Sequence, residues 1–176
     1  MATLIFITGG ARSGKSRYAQ ELALQLSDDP VYVATARRWD DEFDQRIQRH
    51  QQERDQRWTS VEEEKYLSRL PLEGRVAVID CVTLWLTNFF TDLDQDTSLC
   101  LEACQSEIRS LCQLQGTFII ISNEIGMGLH AETAMGRRFT DLQGWTNQFL
   151  AATAQRVIFM VSGLPLLIKD SIQEPI

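Results

Sequence analysis

Short apolar runs recur along the chain and form its most regular pattern. Five of them are rich in β-branched residues and show no polar alternation: LIFIT (4–8), VYVAT (31–35), VAVID (76–80), FIIIS (118–122) and VIFMV (157–161). Strands that are covered on both faces have this pattern, because neither face meets water. We therefore predict five buried strands, and a final edge strand at LPLLIK (164–169).

Longer segments with helical character separate these runs. They cover residues 15–27, 41–56, 97–114 and 140–154. The alternation predicts an α/β fold with a mainly parallel sheet flanked by helices. No linker rich in proline, glycine or serine interrupts it, so we expect residues 1–176 to form a single domain. The polar segment 36–72 is expected to be a solvated helical excursion over the sheet.

Composition and charge narrow the class of protein. Among the 176 residues, 24 are acidic and 17 basic, which gives a net charge of −7. This balance argues against a general nucleic-acid binder, which usually has a basic face, but it is compatible with a local site for a small anion. The sequence contains no run of about eighteen apolar residues, so we expect no membrane span. The N-terminus lacks the pattern of a secretory leader.

The cysteines give no sign of a metal site. Cys81, Cys100, Cys104 and Cys112 follow no zinc-binding spacing and have no histidine among them. We expect these cysteines to be reduced and to serve as small apolar residues of helices. Reduced cysteines are typical of the cytosol, so we expect a cytoplasmic protein.

A phosphate-binding motif follows the first predicted strand. GGARSGKS, residues 9–16, fits the pattern G-x-x-x-x-G-K-[ST]. Its glycines let backbone N–H groups turn around phosphate oxygens, and the helix that begins near Lys15 directs its positive end at the anion. Lys15 would bridge the β and γ phosphates, and Ser16 would bind Mg²⁺. The motif predicts a P-loop NTPase-like fold; a plain glycine-rich turn is the alternative. The predicted nucleotide contacts are Gly9, Gly10, Ala11, Arg12, Ser13, Gly14, Lys15 and Ser16.

Two acidic residues follow predicted strands. Asp80 ends VAVID and suits a Mg²⁺ site, or alternatively the N-cap of a helix that starts near Val82. Glu124, in SNEIG, lies at the carboxyl edge of the sheet, where ligands of such folds gather. It is a candidate general base for a hydroxyl acceptor, and the alternative is an acid that caps a turn.

The histidines are few, which makes each one informative. His50 lies in RIQRHQQER, with Arg46 and Arg54 four residues to either side and hence on one helical face. Such cations could receive phosphates, and imidazole can attack phosphorus as a nucleophile. An ordinary surface histidine is the alternative, and the pattern alone does not decide between them. His130, in GMGLHAET, is expected to be an exposed loop residue.

Several motifs in order resemble one enzyme family from end to end. ITGGARSGKSRYAQ, YVATA, DDEFDQRIQRHQQERDQRWTSVE, VIDCVTLWLTN, SNEIGMG, RRFTDLQGWTNQFLAATAQRV and VSGLPL carry the likeness. The chain resembles the bifunctional adenosylcobinamide kinase/adenosylcobinamide-phosphate guanylyltransferases of cobalamin biosynthesis. The resemblance implies that ATP or GTP phosphorylates adenosylcobinamide, and that GTP then donates GMP through a histidine to give adenosylcobinamide-GDP. It implies His50 as that histidine.

The same resemblance implies further contacts and an assembly. Additional nucleotide contacts would be Ala34, Thr35, Ala36, Gln51, Gln52, Glu53, Arg54, Glu62 and Asp80. The resemblance implies a homotrimer with sites between subunits, whereas Mg²⁺ is expected from the phosphate-binding motif itself. Candidates for the corrinoid surface are Trp39, Trp85, Phe89 and Phe90, which could equally be core residues. Two other functions stay open: a one-reaction kinase in which His50 is idle, and a non-enzymatic nucleotide-binding module.

Overall fold

A computed structural model of the protein describes residues 1–37 and 55–172. Within them, a seven-stranded sheet has the order β3-β2-β4-β5-β1-β6-β7. The strands are β1 (Thr3–Gly9), β2 (Val31–Ala34), β3 (Thr59–Glu62), β4 (Arg75–Asp80), β5 (Gly116–Ile121), β6 (Arg156–Val161) and β7 (Leu164–Asp170). Only the β6–β7 pair is antiparallel among these strands. The described helices are α1 (Lys15–Leu26), α2 (Val82–Asp92), α3 (Thr97–Gln113) and α4 (Ala134–Thr153), with a 3₁₀ turn at Leu67–Arg69.

The structure confirms the predicted α/β class, the five buried strands and the edge strand at the end. It corrects two other expectations and adds helix α2 to the predicted helical segments. Residues 59–62 form the edge strand β3 instead of a solvated helical excursion. Helix α4 begins at Ala134 rather than at residue 140, because Thr133 caps it by accepting a hydrogen bond from the Gly136 amide. Helix α2 was expected only in the alternative interpretation of Asp80. The predicted helix 41–56 lies almost wholly outside the described residues.

The core lies on both faces of the sheet. On β1, Leu4 and Phe6 face helices α2, α3 and α4, whereas Ile5 and Ile7 face helix α1. All four are at most 2% exposed, which is why the strand reads as a continuous apolar run. Within the described residues, no helix combines the length and apolar character that a membrane span requires.

The aromatic residues of α2 belong to this core. Trp85 is 1% exposed, and Phe89 and Phe90 are also buried. Trp85 stacks edge-on against Phe89 and donates its indole N–H to the Lys65 carbonyl. Of the two alternatives for these three side chains, the core is therefore confirmed and the corrinoid surface is wrong, because they face the interior. Trp39 lies outside the described residues.

The parallel strands end at one edge of the sheet, and the candidate site residues lie along it. Ala34 pairs with Asp80, Asp80 with Ile121, and Ile121 with Ile7. The loops that follow β1, β2, β4 and β5 therefore meet at this edge, where parallel α/β sheets bind ligands.

Candidate active site

The phosphate loop, residues 9–16, is a tight turn whose backbone conformation and close contacts favour glycine at Gly9 and Gly14. A Cβ on Gly9 would lie 2.5 Å from the Met160 carbonyl oxygen and 2.9 Å from Ser13 Oγ. Gly14 has φ 94° and Arg12 has φ 55°, so both adopt the left-handed region. The β6–β7 turn supports the loop, because the Gly163 amide donates to the Ser13 carbonyl at 3.0 Å.

The first turn of α1 presents its amides to this loop. Gly14 is the N-cap and has no side chain to accept from the helix. Within the described residues, the buried hydroxyl of Ser13 also has no hydrogen-bond partner. Amides at a helix N-terminus and an adjacent hydroxyl without a partner suit an anion such as phosphate.

Lys15 places its ammonium group at the mouth of the loop. Its Nζ donates to the Gly9 carbonyl at 3.0 Å and to the Gly10 carbonyl at 2.6 Å. The side chain is buried, and burial lowers the pKa of Lys15, while Cys81 and Asp80 nearby raise it in part. The loop thus holds a poorly solvated cation in place, which strengthens its attraction for phosphate.

Ser16 and Asp80 meet beside that lysine. Ser16 Oγ donates to Asp80 Oδ2 at 2.7 Å, and the Tyr32 hydroxyl donates to the same oxygen at 2.7 Å. Asp80 does not cap helix α2, because the N-cap is Cys81 and no side-chain cap hydrogen bond is present at this end. The alternative assigned to Asp80 from the sequence is therefore wrong.

This pair of oxygen donors fits Mg²⁺. Mg²⁺ in nucleotide sites usually takes one or two protein oxygens and completes its shell with water and substrate phosphates. A hydroxyl and a carboxylate 2.7 Å apart supply that donor set. Within residues 1–37 and 55–172, no group of three or more His, Cys, Asp or Glu side chains could hold a metal ion.

The residues after β2 and β3 line the same edge. The Thr35 amide donates to the Asp80 carbonyl at 3.1 Å, and its hydroxyl donates to the Cys81 carbonyl at 2.8 Å. Thr35 is fully buried, so its side chain holds the β2 and β4 ends together instead of facing solvent. Ala34 and Glu62 pair in register, and Ala36 is partly buried.

Glu124 lies next to the phosphate loop. Its amide donates to the Gly9 carbonyl at 3.0 Å. Its carboxylate accepts a hydrogen bond from Asn147 Nδ2 at 3.5 Å. Asn147 Nδ2 also donates to the Asn123 carbonyl at 3.2 Å. The loop after β5 is thus attached both to the phosphate loop and to helix α4.

The sequence analysis did not predict a buried polar cluster that lies next to Glu124. Ser122 donates to Asn147 Oδ1 at 2.6 Å, and Gln143 Nε2 contacts both Ser122 Oγ and Asn147 Oδ1. The three side chains are buried in the interior. Gln143 and Asn147 stand one helical turn apart inside an apolar stripe, and that pattern is the signal that could have revealed them.

His50 lies outside the described residues, as do Gln51, Gln52, Glu53 and Arg54. Arg37, the last described residue before that segment, forms ion pairs with Glu64 at 2.7 Å and Asp92 at 2.9 Å. Lys65 adds a 2.6 Å contact to Asp92. This network, which the sequence did not suggest, attaches the end of the described segment to helix α2.

The remaining histidine and the cysteines lie where the sequence placed them, with one exception. His130 is exposed in its loop. Cys100, Cys104 and Cys112 belong to helix α3, whereas Cys81 precedes α2 instead of lying within a helix. All four are free thiols, and burial raises the pKa of Cys81 to about 12 and that of Cys100 to about 11.

A parallel sheet with a phosphate loop, an inward lysine and an adjacent serine–aspartate pair defines a nucleotide-dependent enzyme with a P-loop NTPase-like fold. The family model for "Cobinamide kinase / cobinamide phosphate guanyltransferase" matches residues 5–168. The chain belongs to this family of bifunctional kinases and guanylyltransferases.

Curated relatives agree with the family model. The bifunctional adenosylcobalamin biosynthesis protein CobP of Pseudomonas aeruginosa is 39% identical over 167 residues, which cover 93% of this chain and 95% of the relative. The bifunctional adenosylcobalamin biosynthesis protein CobU of Escherichia coli is 38% identical over 183 residues, covering 94% and 99%. The bifunctional adenosylcobalamin biosynthesis protein CobU of Salmonella typhimurium is 36% identical over 183 residues, which cover 94% of this chain and 99% of the relative.

Proposed function

We propose that the chain phosphorylates adenosylcobinamide and then attaches GMP to that phosphate through a GMP–His50 intermediate. One observation carries the proposal: a chain of the cobinamide kinase family holds Lys15, Ser16 and Asp80 together at its phosphate loop. The phosphoryl donor is ATP or GTP, and the product of the second reaction is adenosylcobinamide-GDP.

In the kinase step, the hydroxyl of the aminopropanol arm attacks the γ-phosphorus. The bond from that phosphorus to the β,γ-bridging oxygen breaks, and the nucleoside diphosphate leaves. Lys15 and the amides of α1 neutralise charge that develops on the β and γ oxygens. Glu124 is the proposed base for the hydroxyl proton, since the contact between its amide and Gly9 places it beside the loop.

In the guanylylation step, a neutral His50 imidazole attacks the α-phosphorus of GTP. The bond from the α-phosphorus to the α,β-bridging oxygen breaks, and pyrophosphate leaves from the phosphate loop. A phosphate oxygen of adenosylcobinamide phosphate then attacks that phosphorus; the new O–P bond forms, the P–N bond to His50 breaks, and the imidazole leaves. The imidazole must be neutral for this attack, because a doubly protonated ring has no free nitrogen lone pair.

Other residues are proposed to complete the nucleotide site. Ala34 ends β2 opposite Asp80, Thr35 and Ala36 follow it, and Glu62 ends the neighbouring strand. Gln51, Gln52, Glu53 and Arg54 are proposed contacts from the resemblance alone. When Mg²⁺ is bound, Ser16 and Asp80 would hold it, and it would offset negative charge on the phosphates. A homotrimer is the proposed assembly.

An adduct assay tests this function. The protein is incubated with Mg²⁺ and GTP labelled at the α-phosphate or at the γ-phosphate, and is then denatured. The proposal predicts protein-bound label from the α position only, lost in acid and retained in alkali, as for a phosphoramidate. A kinase without the second activity would retain no label, and a nucleotide-binding module would also fail to phosphorylate cobinamide.

A further inference from the structure

An open groove lies near the phosphate site, between the loop after β5 and residues 137–148 of helix α4. Its volume is about 420 Å³, within the range of small-molecule pockets, about 300–1,000 Å³. Residues along its walls and floor include Ile125, Leu129, Thr140, Asp141, Gly144 and Trp145. Arg137 holds one rim, because it donates to the carbonyls of Ala131 and Glu132 at 3.1 and 2.8 Å.

Apolar side chains at the groove face solvent to an unusual degree. Leu129 is 99% exposed, and Trp145 is 46% exposed. Met127, in the same loop, is 74% exposed. Large apolar side chains that cluster on a surface mark a binding site more often than single exposed ones do.

Gly144 lines the groove with helix backbone that carries no side chain. A glycine inside a helix destabilises it by about 1 kcal/mol relative to alanine. Packing does not require this glycine, because a Cβ built there meets no heavy atom within 4 Å. The missing side chain instead leaves the helix backbone open to a flat ligand in the groove.

The groove is continuous with the edge that carries the phosphate loop. Ile125, in its wall, directly follows Glu124, whose amide contacts the Gly9 carbonyl. A Cβ at Gly126 would lie 3.8 Å from Glu124 Oε1. A ligand in the groove can therefore extend an arm past Glu124 toward a bound nucleotide.

We propose that this groove binds the corrin macrocycle of adenosylcobinamide, an inference that rests on the proposed function. A corrin has broad apolar faces and a rim of amide side chains. Trp145 and Leu129 match an apolar face, and Asp141, Thr140 and Gln148 offer hydrogen bonds to the amides. The groove holds one edge of the ring, and the aminopropanol arm extends toward Glu124.

The test fills the groove and measures binding without catalysis. Equilibrium dialysis gives the Kd of adenosylcobinamide for the unmodified chain, for Gly144→Phe and for Leu129→Ser. Gly144→Phe is expected to raise the Kd at least tenfold, and Leu129→Ser severalfold. Ser110→Phe, at an exposed position of α3 outside the groove, is the matched control and should leave the Kd unchanged.

Self-guanylylation and oligomeric mass distinguish a failure of the groove assignment from a failure of the proposed function. Both groove variants should retain self-guanylylation with GTP, because their changes leave the phosphate loop intact. A chain that binds the corrinoid through the groove but fails to phosphorylate it would disprove the proposed function and support the groove. An unchanged Kd in Leu129→Ser and in any folded Gly144→Phe, or no corrinoid binding by the unmodified chain, would overturn the inference. A changed oligomeric mass in either variant would also overturn it, by showing that the groove is a subunit contact.

Discussion

Lys15 illustrates how one buried cation can serve two reactions. In the proposed mechanism, its ammonium group neutralises the phosphoryl group that moves in the kinase step and the pyrophosphate that leaves in guanylylation. Its two hydrogen bonds to loop carbonyls fix that position before a nucleotide arrives. Such preorganised charge is usually a large term in phosphoryl transfer.

Replacing this lysine should therefore impair both activities. Lys15→Ala is expected to lower the kcat of the kinase and the rate of self-guanylylation by about a hundredfold or more. Rates with saturating GTP and adenosylcobinamide measure both effects. Guanylylation that stays at the unmodified rate would show that the two reactions use separate nucleotide sites.

Asp80 is predicted to set the response to Mg²⁺. Asp80→Asn removes the charge beside Ser16, so the Mg²⁺ concentration for half-maximal kinase activity should rise at least tenfold, about 1.4 kcal/mol. Tyr32→Phe removes a hydrogen bond to Asp80 and retains the charge of the carboxylate, so its shift should be smaller. A Mg²⁺ titration of each variant makes the comparison, and equal curves for Asp80→Asn and the unmodified chain would contradict the assignment.

At the scale of elements, the join between β1 and α1 depends on Gly9. Its φ of 153° and the Met160 carbonyl behind it leave no room for a Cβ. Gly9→Ala is expected to lower the free energy of unfolding by about 2–4 kcal/mol. Gly10→Ala is the matched control, since a Cβ there meets nothing within 4 Å, and it should change stability by no more than about 0.5 kcal/mol.

Urea unfolding of the two alanine variants measures this difference. A Gly9→Ala protein as stable as Gly10→Ala would show that the loop relaxes without cost and that β6 does not confine it. The comparison concerns folding alone, because both glycines belong to the phosphate loop and both variants can lose activity.

Sequence patterns predicted the elements whose residues are buried on both faces. β1, β4, β5 and β6 read as apolar runs because helices cover the sheet. β3 was missed because its residues, TSVE, are mostly exposed at the sheet edge, and such a strand has no apolar signature. The start of α4 was missed because its first turns are also largely exposed.

The site shows the same division. The phosphate loop was found because its chemistry is local, within eight consecutive residues. The contact of Asp80 with Tyr32 and the Ser122–Gln143–Asn147 cluster join residues far apart in the chain. Their pairing depends on strand order, which no local pattern contains.

For the whole molecule, the ion pairs around Asp92 predict a component of acid sensitivity. Hydrogen bonds from Arg37 and then Lys65 hold the pKa of the Asp92 carboxyl well below its usual range. Such a group stabilises the fold above its unfolded-state pKa, about 3.9, and this contribution is lost as the pH falls through the folded-state pKa.

Asp92→Asn should therefore lower the free energy of unfolding by about 1 kcal/mol at pH 7, since partly exposed ion pairs contribute little. The gap from the unmodified chain should shrink as the pH falls below about 4. Urea unfolding at several pH values measures it. A gap that stays constant down to the acid transition would show that Asp92 contributes by packing rather than by charge.

We propose that one chain catalyses both reactions and that His50 is required for guanylyl transfer but not for the kinase reaction. The most direct measurement supplies His50→Ala and His50→Asn with adenosylcobinamide, GTP and Mg²⁺ and identifies the corrinoid products by chromatography and mass. The account predicts that both variants accumulate adenosylcobinamide phosphate and stop there, whereas the unmodified chain proceeds to adenosylcobinamide-GDP. Formation of adenosylcobinamide-GDP by either variant at the unmodified rate would contradict it.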